Sequence, residues 1–272
     1  MLEKLVTSKV GGGVSVKTLF AGAALATALA ISGPAIAADM PVKAAPVAPV
    51  WSWTGCYAGV NVGYFSARFK ESNVTAVGIP PVAPTNTAFA DFNFSGDGAS
   101  GGGQIGCNLQ NGAFVFGVET DIDGLSGGGQ KLFRASIFEF PQAGAFNTDV
   151  RSTLRYFGTV RGRVGWTATP TTLLYVTGGF AYARVNSVLC FQPVVSGLCS
   201  FVNGDTHDHN GYTVGVGGET KVAQNWSAKL EYLYANLGSQ TYNFSNIAGI
   251  NYQWNERVNF HTVRLGVNYR FY

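Results

Sequence analysis

The C-terminal stretch Val258-Asn-Phe-His-Thr-Val-Arg-Leu-Gly-Val-Asn-Tyr-Arg-Phe-Tyr272 alternates without a break from Val263 onward. Val263, Leu265, Val267, Tyr269 and Phe271 fall on one side, and Arg264, Gly266, Asn268 and Arg270 on the other. A period of two marks a strand, because successive side chains point to opposite faces. A soluble two-layer sheet would give the same alternation, but its polar face would look into bulk water and need not match other strands. An amphipathic strand of this length that ends the chain on aromatic residues is the closing strand of a transmembrane barrel.

Working outward, seven further segments alternate in the same way. They are Cys56 to Ser66, Gly102 to Leu109, Ala113 to Asp123, Leu154 to Trp166, Leu173 to Val185, Tyr212 to Val222 and Trp226 to Asn236. The connections after the second, fourth and sixth strands are a few residues, whereas the others run to roughly twenty or thirty, beyond the usual loops of compact domains. Short turns at one end and long, extracellular loops at the other define an all-β, eight-stranded antiparallel up-and-down transmembrane β-barrel with short periplasmic turns. The predicted lipid-facing aromatics are Tyr64, Phe114, Phe116, Tyr156, Trp166, Phe180, Tyr182, Trp226, Tyr232, Tyr234, Tyr269 and Phe271. Trp51 and Trp53, just before the first strand, are expected to begin an interfacial belt.

The amino terminus is expected to be removed. Lys4, Lys9 and Lys17 precede an apolar run from Leu19 to Ile31, followed by Ala35 and Ala37 as small residues before a cut, the layout of a secretory signal. The run is roughly a dozen residues where a spanning helix needs about twenty. The predicted organisation is a signal peptide over 1–37, a Pro/Ala-rich periplasmic linker over 38–52 and the barrel over 53–272. Composition agrees: 36 Gly, 19 Phe, 12 Tyr and 5 Trp accompany only 12% charged residues. Of 18 Lys and Arg and 15 Asp and Glu, the signal takes three Lys and Glu3, leaving 15 basic and 14 acidic residues. That balance argues against nucleic acid as a partner.

Charges identify the inside. The alternation places Glu119, Asp121, Asp123, Glu219 and Glu231 on the polar face with Arg155, Arg161, Arg163, Lys221, Lys229, Arg264 and Arg270. The alternative is a set of solvated surface charges. On a lipid face, however, Arg or Lys would cost roughly 2 to 4 kcal/mol each at the bilayer midplane. Side chains just fill an eight-stranded lumen, so this column is expected to plug it, with the third and fourth strands forming the core of the network.

Four cysteines in an exported chain point to disulfides. Of three pairings, Cys56 with Cys107 and Cys190 with Cys199 are preferred. An antiparallel hairpin brings the first pair to one end of the barrel, and the second closes a small ring in the third long loop. Free thiols are the alternative. Gly101-x-Gly103-x-x-Gly106 matches a dinucleotide fingerprint, but it opens a period-two strand with no helix to present a dipole to phosphate. Asp205, His207, Asp208 and His209 cluster in the third long loop and have the chemistry of a divalent-metal site; a solvated loop is the reading favoured, and no metal or cofactor is expected. No nucleophile elbow, zinc helix or triad spacing appears, so no enzyme is expected.

Trp53-Thr-Gly-Cys-Tyr-Ala-Gly59, Gly102-Gly-Gln-Ile-Gly-Cys-Asn108, Phe116-Gly-Val-Glu119, Leu174-Tyr-Val-Thr-Gly-Gly-Phe-Ala-Tyr182, Lys229-Leu-Glu-Tyr-Leu-Tyr234 and Val263-Arg-Leu-Gly-Val-Asn-Tyr-Arg-Phe271 resemble the small outer-membrane β-barrel family. That family includes porin-family surface antigens of alphaproteobacteria and is related in architecture to OmpA and OmpX. The resemblance covers the chain from about Trp51. It implies a place in the outer membrane of a Gram-negative bacterium, with membrane lipid as a partner and a role in envelope integrity and surface contact; some relatives are haem binders or weak pores. It also implies that the barrel-insertion machinery reads the C-terminal aromatic matching Phe271, after which this chain adds Tyr272. The residues themselves favour a structural barrel. A small diffusion porin is one alternative. A receptor or adhesin is another, with its ligand held by extracellular loops bearing Phe89, Phe92, Phe94, Phe133, Phe138 and Phe140.

Overall fold

The computed structural model describes residues 51–77, 87–88, 91–133, 146–193, 201–245 and 251–271. Eight long strands make the wall: Gly55–Val77 (β1), Phe92–Asn111 (β3), Phe114–Phe133 (β4), Phe146–Thr169 (β5), Thr172–Pro193 (β6), Phe201–Lys221 (β7), Trp226–Ser245 (β8) and Asn251–Phe271 (β9). A two-residue strand, Thr87–Ala88 (β2), adds to the far end of β1. Each long strand pairs antiparallel with the next, and β1 pairs with β9 from Cys56↔Phe271 to Val77↔Asn251, closing the ring. Closure leaves no free edge in the lower barrel; toward the far end the β7–β8 ladder stops at Tyr212↔Asn236.

Short turns join β3 to β4, β5 to β6 and β7 to β8, at the ends read as periplasmic. Gly112, at φ +60°, turns the first of them, where a Cβ would be strained. At the opposite end the strands run far beyond the expected bounds. β1 reaches Val77 instead of Ser66, and β9 starts at Asn251 instead of Val258. Much of what was expected to be long loop is therefore continued wall.

The reason lies in an inversion of the alternation. On β1 the outward residues Val60, Val62 and Tyr64 give way to Ser66, Arg68 and Lys70, all exposed, while the inward series passes from Asn61 and Gly63 to Phe65, Ala67 and Phe69. On β9 the same change falls between Val263 and His261 outside and between Thr262 and Phe260 inside. Backbone parity is unchanged; only the medium outside changes. Below the switch, from Phe271 to Val263, the wall presents apolar side chains over roughly 20 Å, taking about 3.4 Å per residue and a tilt near 40°. Above it, polar residues face water and an aromatic core fills the interior. Phe157 stacks on Phe260 at 4.4 Å, Phe260 on Phe65 at 5.4 Å, and Phe244 on Trp254 at 4.4 Å. Phe94 is buried in this core and Phe92 packs against it, so neither is the exposed loop aromatic that was expected. Phe133 ends β4; Phe89, Phe138 and Phe140 lie outside the described residues.

The twelve predicted lipid-facing aromatics stand on the outer wall. Trp166, Phe180, Trp226 and Phe271 are about half exposed, and Tyr156, Tyr182 and Tyr234 are partly covered by neighbours. Cys56 and Cys107 are direct partners across β1 and β3 and form a disulfide. Cys190, on β6, is disulfide-bonded as well, and Cys199, the partner expected for it, lies outside the described residues. So do the expected signal peptide, nearly all of the linker, and Tyr272.

Candidate functional site

Inside the apolar band, five strands contribute charged side chains to one network. β4 and β5 pair so that Glu119 lies opposite Arg161, Asp121 opposite Thr159 and Gly117 opposite Arg163. Arg161 bonds Glu119 at 2.6 Å and Asp121 at 2.8 Å through Nη2, and reaches Glu231 on β8 at 2.9 Å through Nη1. Arg264 of β9 bonds Asp121 at 2.9 Å, Asp123 at 2.6 Å and Glu231 at 2.7 Å. Lys229 donates to both oxygens of Glu119 at 2.9 Å. Arg163 bonds Glu219 of β7 at 2.8 Å and lies 4.2 Å from the Tyr175 ring centroid.

Neutral groups satisfy most of what remains. Tyr57 donates to Glu119 at 2.6 Å and accepts from Arg163 at 2.8 Å. Thr159 donates to Asp121, Tyr175 to Glu231, and Ser227 and Asn268 to Glu219. Above them Asn61 donates to Asp123 and Gln104, and Gln104 donates to Asn268. All these groups are buried. Inward glycines make the room: a Cβ on Gly117 would lie 2.2 Å from Asn108 Oδ1, and one on Gly59 2.2 Å from Asn268 Oδ1. The five carboxylates Glu119, Asp121, Asp123, Glu219 and Glu231 are balanced by Arg161, Arg163, Lys229, Arg264 and Arg270, all nearly inaccessible. Neutrality matters because an unpaired charge in such a site is far costlier than a paired one.

Two of the expected lumen charges are placed otherwise. A bulge between Leu154 and Tyr156 inserts one residue into β5, so Leu154 and Phe157 both face inward and Arg155 faces out. Strict alternation cannot reveal this, since a bulge shifts the parity by one. Lys221 sits at the periplasmic mouth, half-covered, with Nζ 4.7 Å over the Trp51 ring. The core of the network also extends past the β4–β5 pair, since β8 and β9 supply Lys229, Glu231 and Arg264.

The mouth itself is stoppered. Trp53 is fully buried against Val115, Leu173 and Tyr175, with Trp51 edge-on at 5.6 Å. Its backbone N–H donates to Gln110 Oε1 at 2.7 Å, its backbone carbonyl accepts from Arg270, and the Arg270 guanidinium lies 5.0 Å from its ring. These two tryptophans thus enter the barrel end instead of starting an interfacial belt. Two cations at the mouth, Arg270 and Lys221, favour ring faces over lipid.

The acid and histidine cluster is not a loop. Asp205, His207 and His209 face inward on β7, whereas Asp208 faces out and forms a bidentate pair with Arg184. Among the described residues no group of three or more His, Cys, Asp or Glu is placed to hold a metal. Sequence reasoning missed a further buried pair in the upper barrel. Glu71 and Glu256 are direct partners across β1 and β9, and Glu256 Oε2 accepts from Ser152 at 3.0 Å and Ser187 at 3.1 Å. The clue was there in Glu256, two residues from Val258 on the inward face of an apolar run.

An eight-stranded ring with an apolar, aromatic-bearing outer band and a polar, charge-paired interior is a small transmembrane β-barrel of the outer membrane. The chain belongs to the outer membrane protein beta-barrel domain family, whose model matches residues 23–271. It is 35% identical to the 31 kDa outer-membrane immunogenic protein of Brucella melitensis, over 94% of this chain and 97% of that protein. It is 29% identical to the 22 kDa outer membrane protein of Rhizobium leguminosarum, over 84% of this chain and 82% of that protein. Among solved structures it is similar to the outer membrane protein OprG from Pseudomonas aeruginosa, with a TM-score of 0.44, 10% identity, and coverage of 80% of this chain and 97% of that one. The protein is therefore an outer-membrane barrel of a Gram-negative bacterium.

Proposed function

We propose that the protein is a structural outer-membrane barrel, non-enzymatic and closed to solutes, that supports envelope integrity and meets the surroundings through its extracellular wall. The observation that carries this reading is Arg161, whose guanidinium ties β4 to β8 across the lumen through Glu119, Asp121 and Glu231. Arg264 adds a second tie from β9, and Trp53 covers the periplasmic mouth. With the apolar core above, a hydrated ion meets three successive barriers. A surface role is supported by the relatives named immunogenic outer-membrane proteins. Assembly through the barrel-insertion machinery is assigned to β9, where Phe271 stands half exposed at the end of the strand.

Single-channel recording on the protein refolded without residues 1–37 in planar bilayers tests closure. The wild type is expected to be silent, and Arg161→Ala with Arg163→Ala to show discrete openings. Steady conductance of the wild type alone would overturn the closed reading in favour of a small diffusion porin, whether or not the variant folds.

A further inference from the structure

Just above the apolar band, three cations crowd one patch of the outer wall. Lys70 and Arg257 are direct cross-strand partners on β1 and β9, and Arg68, partner of Asn259, is diagonal to Arg257. All three are exposed. Like charges facing each other across a strand pair destabilise it, and diagonal neighbours on one face are still only about 7 to 8 Å apart. Of the outward residues around them, Asn93 and Ser95 on β3 and Ser239 and Thr241 on β8 are neutral. One carboxylate, Asp97, partner of Ser66, is diagonal to Arg68, but it accepts from the Tyr64 hydroxyl at 2.5 Å, and among the described residues no ion pair joins it to the three cations. Asp91 accepts from the Asn73 N–H at 3.3 Å, and no ion pair joins it to the three cations among the described residues. By contrast Arg184, elsewhere on the outer wall, is neutralised by Asp208.

The height of the patch identifies the missing anion. Tyr64 is the last large apolar residue facing out on β1, and Arg68 and Lys70 follow four and six residues later. At about 3.4 Å per residue and a tilt near 40°, Arg68 stands roughly 10 Å above Tyr64. That is within the reach of long basic side chains that bend toward a membrane surface. Directly below, the same strands present Val60, Val62, Val263 and Leu265 to lipid. Beside them Gly103 and Gly101, partners of Val60 and Val62, leave the adjoining strip of β3 without side chains.

We propose that Arg68, Lys70 and Arg257 bind the phosphate of an outer-leaflet lipid, whose acyl chain lies in the shallow trough over Gly101 and Gly103. An anion there removes the like-charge repulsion, and each cation near a charged headgroup adds on the order of 1 kcal/mol, a factor of about five.

Native mass spectrometry of the refolded barrel in detergent tests this with bis-phosphorylated lipid A as the probe. The wild type is expected to retain it and to release the fully dephosphorylated lipid. Arg68→Gln, Lys70→Gln and Arg257→Gln together should weaken retention on the order of a hundredfold, from three contributions of that size. Arg184→Gln should leave it unchanged. Unchanged retention by the triple variant, or equal retention of the dephosphorylated lipid, would overturn the site. Displacement by millimolar inorganic phosphate would reassign it to free anions. The substituted side chains are all exposed, and the heat-dependent gel shift of folded barrels checks that the variant is native.

Discussion

Arg161→Ala is expected to lower the unfolding free energy by about 3 to 5 kcal/mol, the usual cost of leaving a buried charge without its partner. Urea titration of the barrel refolded into lipid vesicles measures it. Arg161 is buried, and the three carboxylates it serves are buried with it. Each has a second partner: Lys229 on Glu119, and Arg264 on Asp121 and Glu231. Four cations then remain to balance five carboxylates, and the surplus negative charge sits where water cannot reach. The loss comes from that surplus more than from the missing bonds. Arg161→Met with Glu231→Gln restores neutrality and much of the side-chain volume, so the double variant should recover more than half of the loss. Arg184→Ala, whose pair with Asp208 is exposed, should be close to neutral because water already screens that pair. A loss below about 1 kcal/mol for Arg161→Ala, or a double variant no more stable than the single one, would remove the network from the forces that hold the barrel closed.

The reach of sequence reasoning here follows from what each residue faces. Arg264 and Arg270 alternate with Leu265, Val267, Tyr269 and Phe271, and lipid outside leaves charge no place but the lumen, so parity alone located ten network residues. Parity failed where the backbone breaks it. The bulge before Tyr156 carries no glycine or proline to announce it, and Arg155 was placed on the wrong side. It was also read too narrowly. Beyond Tyr64 the polar and apolar positions exchange faces while the strand continues, and a search for apolar-outward alternation stops there. Phe65, Ala67 and Phe69 form the same period with the opposite sense, which is a readable signal once water is allowed outside and a dry core inside. Trp53 is a different failure: nothing local distinguishes a tryptophan bound for the bilayer interface from one drawn into a cationic mouth. That choice depends on Arg270, 217 residues away in sequence.

The upper barrel should lose stability as pH rises above about 6.5, opposite to the usual behaviour of a protein's carboxylates. Glu71 and Glu256 face each other from adjacent strands and are fully buried, and among the described residues no group other than the Glu256 carboxyl bonds the Glu71 oxygens. Burial, with each carboxyl beside the other, pushes Glu71 up to about 11, and burial raises Glu256 as well. Two carboxylates so placed cannot both ionise, so the pair keeps at least one proton in the folded state that the unfolded chain releases near pH 4.5. Stability is then fully present below that pH and falls by about 1.4 kcal/mol per pH unit for each retained proton up to the folded value. Ser152 and Ser187 donate to Glu256 and do not titrate, and the outward Lys70 and Arg257 point away from the pair. His207 is engaged with Asp205, and burial holds the Tyr242 hydroxyl protonated beside His209. His209 acts in the other direction. Burial pushes it down to about 4, so its contribution is present above the ordinary value of 6.5 and is lost as pH falls toward 4. Between pH 4.5 and 6.5 the two slopes offset each other, and above 6.5 only the acid pair remains. Hydrogen-exchange protection factors for residues 65–72 and 254–260, corrected for intrinsic rates, should therefore be level from pH 5 to 6.5 and fall by on the order of a hundredfold by pH 9. Glu71→Gln with Glu256→Gln removes the titrating protons and should flatten the alkaline side while leaving the His209 decline below 6.5. Wild-type protection that stays constant or rises from pH 6.5 to 9 would mean that the pair is already ionised, with water or a cation between the carboxylates.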